Sequence, residues 1–155
     1  MESLPRLYED ESLLAIDKPA GLLSVPGRGE ANHDCVAARV QAAMADALIV
    51  HRLDQATSGV MLFGRGAAAQ RALSIAFAER RVAKRYEAIV HGQVQGDRGE
   101  IDLPLITDWP NRPRQKVDHR SGKPSLTRWR VLSRDVAADT TRLQLEPVTG
   151  RSHQL

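Results

Sequence analysis

The sequence predicts an α+β fold, and three observations carry that prediction. Short apolar runs of strand length recur along the chain. Only two segments have a convincing helical period. The helices do not alternate one-for-one with the strands, as βαβ units require. The length, 155 residues, is that of one domain, and 42% apolar with 26% charged residues is the composition of a chain with a core. Leu13–Asp17 is the first strand-length run, and Lys18-Pro19-Ala20-Gly21 ends it with turn residues. Leu22–Val25 resumes an extended path up to Pro26-Gly27. Asp34 is placed to cap a helix, and Val36, Val40, Ala43, Met44 and Ala47 follow at helical spacing, so a helix is expected from Asp34 to Ala47. Leu48-Ile49-Val50 leads into His51-Arg52-Leu53-Asp54, and Thr57-Ser58-Gly59 reads as a turn. Val60–Phe63 is a buried-type strand closed by Gly64. Ala67–Arg81 lacks Gly and Pro, and its stripe of Ala69, Leu73, Ala76 and Phe77 predicts the second helix.

In the second half, Tyr86, Ala88 and Val90 alternate with Arg85, Glu87 and Ile89, a strand pattern within Val82–His91. Gly96–Gly99 is a turn and Glu100–Leu105 a short strand. Pro110 and Pro113 stiffen the loop Trp109–Pro113, since each fixes its own φ and restricts the residue before it. Ser125–Leu132 and Thr141–Glu146 are two further strands around a hairpin loop, Asp135–Asp139.

No apolar run approaches the ~20 residues of a membrane-spanning helix, and Met1–Tyr8, with Glu2, Pro5 and Arg6, lacks the apolar stretch of a secretory signal. A lone Cys35 makes no internal disulfide and no Cys-based metal cluster. It fits a reducing compartment, so a cytoplasmic location without a membrane partner is expected. The net charge is +3, but residues 1–50 carry 4 Lys/Arg against 8 Asp/Glu, and residues 51–155 carry 18 against 11. Arg112, Arg114, Lys116, Arg120, Lys123, Arg128, Arg130 and Arg134 face a single acid, Asp118, within one segment. Such a segment suits a phosphate backbone, or is simply a solvated face. Arg outnumbers Lys 18 to 4. Planar bidentate phosphate contacts favour that ratio, and so does a bias of the coding sequence toward Ala and Arg.

His51-Arg52-Leu53-Asp54 joins an imidazole, a cation and an acid after an apolar strand. In an extended segment Arg52 and Asp54 share a face and Leu53 turns into the core. A cation beside a carboxylate favours its ionised form, which serves a nucleophile, a general base or a metal ligand. From these four residues alone, a structural ion pair on a loop is the simpler account.

The longer stretch His51-Arg52-Leu53-Asp54-Gln55-Ala56-Thr57-Ser58-Gly59 resembles the catalytic motif of the RluA family of RNA pseudouridine synthases. Lys18-Pro19-Ala20-Gly21-Leu22, Lys84-Arg85-Tyr86-Glu87-Ala88 and Gly150–Leu155 resemble three further elements of that family, in the same order. Asp108–Lys116 is similar to the corresponding stretch of the member acting on both ribosomal and transfer RNA. The resemblance implies a mostly antiparallel, mixed sheet with a few flanking helices. It implies one catalytic domain over 1–155, without an S4-type RNA-binding domain. It also implies isomerisation of uridine to pseudouridine without cofactor or metal. Asp54 would be the essential aspartate, at the buried end of a cleft, acting by attack or by proton abstraction. Tyr86 would lie against the target base. Arg52 would fill the space left by a base extruded from its stack, or pair with Asp54. Arg112, Arg114, Lys116 and Arg151 would hold RNA. The partner would be 23S-type ribosomal RNA, a transfer RNA anticodon stem-loop, or both, bound by a monomer. The family's third motif continues past Leu155 to a basic residue, so the chain is expected to be the N-terminal portion of that domain. A non-catalytic RNA-binding protein is the first competing reading. A hydrolase using His51, His91 or His153 is the second.

Overall fold

A computed structural model describes residues 4–27, 29 and 32–155, so the first three residues of the Met1–Tyr8 stretch lie outside it. The chain divides into two compact units, Met1–Arg81 and Val82–Leu155. In the first, strands β1 (Arg6–Glu9), β2 (Leu13–Lys18), β3 (Ala47–Ile49) and β4 (Gly59–Arg65) accompany helices α1 (Val36–Ala43) and α2 (Gly66–Ala78). The strands form one antiparallel sheet in the order β1-β2-β4-β3.

Register explains the core. Leu14 lies opposite Phe63 and Ile16 opposite Met61, so all four share a face. Val36 and Val40 of α1, with Cys35 and Ala47, complete the buried cluster on that side. Burial of each large apolar side chain there contributes on the order of 1.5–3 kcal/mol. At Gly64 the strand comes close to the backbone of α2. A β-carbon on it would overlap the backbone of Ala69 and Gln70.

Several boundaries differ from the expectation. α1 is capped by Cys35, whose Sγ accepts the Ala38 N–H at 3.4 Å. Asp34 instead forms a two-point ion pair with Arg39, both contacts 2.7 Å. The helix stops at Ala43 because Ala47 pairs with Arg65 in the sheet. α2 stops at Ala78, where Arg80 turns to φ 59° and the Arg81 N–H returns to the Ala76 carbonyl. Leu22–Val25 yields a single bridge, Leu23 with Cys35, and no strand. The turn expected at Thr57–Gly59 sits at Gln55-Ala56, and Gly59 opens β4.

The second unit holds β5 (Tyr86–His91), β6 (Arg98–Asp102), β7 (Leu105–Thr107), β8 (Gln115–Val117), β9 (Leu126–Asp135) and β10 (Thr140–Pro147). Four of them form an antiparallel sheet in the order β5-β10-β9-β6. Its β9–β10 hairpin closes over residues 136–139, inside the expected loop. Leu143, Leu145, Thr127 and Thr141 are buried. Trp129 covers Gly99, whose imagined β-carbon would meet the indole at 2.6 Å. The expected strand Glu100–Leu105 divides, because Leu105 belongs to a separate ribbon, β7–β8. That ribbon and β1 carry no sequence signal: β7 and β8 have three residues each, and all four residues of β1 are exposed. Among the described residues no helix is long and apolar enough to cross a membrane.

Candidate functional site

The segment between β3 and β4 is irregular, and its alternation is the one expected of an extended path: Arg52 exposed, Leu53 buried, Asp54 exposed. Ser24 fixes Leu53 from both sides of its backbone. The Ser24 hydroxyl donates to the Leu53 carbonyl at 2.6 Å and accepts the Leu53 N–H at 3.1 Å. Gly21, at φ 86°, turns the chain so that its N–H reaches the Gln55 carbonyl at 2.8 Å. The Gln55 side chain donates back to the Gly21 carbonyl at 3.0 Å.

Lys18 completes this clamp. Its side chain is fully buried, and Nζ donates to the carbonyls of Pro19 (3.0 Å), Gln55 (3.0 Å) and Thr57 (2.7 Å). Burial pushes its pKa below the ordinary lysine value, and the negative charge of Asp54 opposes that shift. Lys18 is thus a cation in electrostatic contact with Asp54. Arg52 is exposed and makes no ion pair among the described residues. The carboxylate expected at a buried cleft end is itself exposed; the buried charge beneath the loop belongs to Lys18. The sequence marks Lys18 as part of a turn and of a family-like element, without a role of its own. Its signal was a lysine at the end of a largely apolar strand, on the same side as Leu14 and Ile16.

His51 has a structural task. Its Nε2 accepts the Leu62 N–H at 3.0 Å, and its ring stacks on Phe77 with centroids 4.5 Å apart. That bond commits Nε2 to the backbone of β4.

The remaining candidates lie in the second unit. Tyr86 is the half-buried first residue of β5, opposite Leu145. Just before it, Lys84 Nζ donates to the Thr149 carbonyl at 3.0 Å, tying this strand start to the Gly150–Leu155 segment. Gln154 ties the same segment to β9, donating to the Leu126 carbonyl (3.0 Å) and the Thr127 hydroxyl (2.9 Å). Arg151 commits its Nε to the Pro124 carbonyl at 3.0 Å. Arg112, Arg114 and Lys116 are exposed on the β7–β8 ribbon, beyond the 3-10 turn Trp109–Asn111. The Arg112 guanidinium lies over the Trp109 ring, 4.4 Å from its centroid. Tyr86 and these three cations thus belong to separate sheets of the second unit, and Arg52 and Asp54 to the first unit.

A sequence profile described as RNA pseudouridylate synthase matches residues 12–155. The chain is 51% identical over 152 residues to the dual-specificity RNA pseudouridine synthase RluA of Vibrio vulnificus, covering 96% of the chain and 61% of the relative. It is 52% identical over 149 residues to the protein of that name from Yersinia pestis, covering 72% of it. The Escherichia coli K12 protein is 50% identical over 150 residues, with 68% covered. The chain thus spans between 61% and 72% of the length of these three relatives. Among solved structures, human RNA pseudouridylate synthase domain containing 1 superimposes with a TM-score of 0.80 at 26% identity, covering 99% of this chain and 62% of that one. Human RNA pseudouridylate synthase domain containing 4 gives 0.78 at 24%, covering 97% and 61%, a likeness of fold.

Proposed function

The chain belongs to the RNA pseudouridylate synthase family, and we propose that the protein carrying it isomerises uridine in ribosomal RNA, transfer RNA or both to pseudouridine. The reaction moves one bond and one proton. The glycosidic bond from C1′ to N1 breaks, a bond from C1′ to C5 forms, and the proton lost from C5 is balanced by one gained at N1. The observation that carries the reading is the clamped loop His51–Gly59, which presents an exposed Asp54 above the buried ammonium of Lys18.

In this reading Asp54 acts ionised, by attack or by abstraction of a ribose proton. Both steps need a carboxylate held in place, and the bonds from Lys18, Ser24 and Gly21 to its loop supply that restraint. Tyr86 supplies a flat ring and a phenol to the target base. Arg52, extended into solvent without an ion-pair partner, occupies the place of the extruded base. Arg112, Arg114 and Lys116 hold phosphates, and Arg151 aids from the Pro124 side. The enzyme works as a cytoplasmic monomer and needs no cofactor.

Asp54→Asn, made in the natural protein that carries this chain, tests the reading. Carbodiimide mapping of pseudouridine on short stem-loops is expected to show conversion by the unsubstituted protein and none by the variant, while RNA binding largely survives. Conversion at an undiminished rate by the variant overturns the role of Asp54. Binding without any modified position by the unsubstituted protein favours the non-catalytic RNA-binding reading.

A further inference from the structure

The sheet β5-β10-β9-β6 has two unlike faces. Tyr86, Leu145, Trp129 and Gly99 stand opposite one another across the four strands and share one face. Their sequence neighbours share the other. There Arg130 lies opposite both Arg98 and Gln144, and Arg128 opposite both Glu100 and Glu146. Arg85, beside Tyr86 in sequence, reaches the same side and contacts Glu146 at 3.5 Å. A cavity of about 280 Å³ opens among Arg85, Arg98, Arg128, Arg130, Gln144 and Glu146.

The charges on this face do not close. Glu100 is taken by Arg128 at 2.9 Å. Glu146 serves Arg85 and accepts the Gln144 amide at 2.8 Å. Arg130 finds only the neutral amide oxygen of Gln144, at 2.9 Å. The Arg98 side chain makes no hydrogen bond or ion pair among the described residues. Two arginines therefore occupy directly cross-strand positions of one ladder, and neither is ion-paired to a carboxylate among the described residues. Like charges so placed weaken a strand pair. A bound anion reverses the sign of that interaction, and a guanidinium fork matches a phosphate oxygen pair.

We propose that Arg98 and Arg130 form a phosphate-binding site for the backbone of the RNA, on the sheet face opposite Tyr86. The site rests on the reading that the protein acts on RNA, and it gives that RNA a second contact surface apart from the ribbon cations. It positions the substrate through its backbone and reads no base.

The test is a fluorescence anisotropy titration of a labelled stem-loop, with a stem of about two helical turns, across a series of salt concentrations. The natural protein is compared with Arg98→Gln/Arg130→Gln and with Arg142→Gln, a same-sheet arginine already paired with Glu87 at 3.0 Å. The double variant is expected to bind about tenfold more weakly at low salt, with a log–log salt slope smaller by about two. Its thermal midpoint should be unchanged or higher, because a repulsion is removed. The Arg142 variant should bind as the natural protein does. Equal affinity and equal slope in the double variant overturn the site. A natural protein that binds no RNA overturns the site and the functional reading together. Loss of binding in the double variant of a protein that converts no uridine sinks the enzymatic reading and leaves the site standing.

Discussion

Lys18 shows how a single side chain can serve chemistry without touching it. Its ammonium is buried beneath the 51–59 loop and satisfies carbonyls from Pro19, Gln55 and Thr57. A Lys18→Met chain keeps the apolar stem and removes this donor from all three carbonyls, of which that of Gln55 still accepts the Gly21 N–H. An acceptor that loses its donor away from water costs about 1–3 kcal/mol, less where water can replace it, and removal of a buried charge offsets part of that. The expected net loss is about 2 kcal/mol in urea unfolding. Pseudouridine formation should fall further than RNA affinity does, because the exposed arginines are untouched. Unchanged stability together with unchanged turnover would refute the clamp. At this scale the sequence was informative about Arg52, Leu53 and Asp54, since their alternation follows from an extended path alone. It was silent about Ser24, because nothing in a lone serine announces that its hydroxyl will meet Leu53, remote in sequence.

Elements with an apolar period were legible, and their ends were not. α2 and the strands β2, β4, β5, β9 and β10 fall within or close to the segments that the pattern marks. The spacing Val36–Ala47 continues helically, but pairing of Ala47 with Arg65 contributes sheet hydrogen bonds that a longer α1 would forfeit. The Asp34 cap fails for a similar reason, since Arg39 offers its carboxylate a charged partner. The packing of α2 on β4 gives a sharp test. Gly64→Ala places a methyl group on the Gln70 backbone, which cannot rotate away. A loss of about 2 kcal/mol or more is expected, read as a lower urea midpoint. A variant with an unchanged midpoint would show that α2 shifts freely on the sheet.

For the molecule as a whole, acid should be the destabilising direction. Backbone N–H groups of Ser12 and Leu13 and the Tyr8 hydroxyl hold Asp10 below the usual carboxylate range. The Arg39 guanidinium does so for Asp34, and the N–H groups of Ser121 and Arg120 for Asp118. A group whose folded pKa is lowered lends stability in full above its unfolded value, near pH 4, and loses it as pH falls through the folded value. Thermal midpoints should therefore hold down to about pH 5 and drop below pH 4. Asp118→Asn should flatten part of that drop; a midpoint that is level from pH 5 to pH 2.5 contradicts the assignment. By itself the sequence determined the α+β class, the family and the loop that carries Asp54, because apolar period and a nine-residue motif are local properties. Only the tertiary structure decided which cation stands under Asp54, that Cys35 and not Asp34 caps α1, and that Arg98 faces Arg130 across a ladder. Each of these depends on which distant segments pair, and pairing register is set by the burial of a whole face rather than by any one stretch of chain.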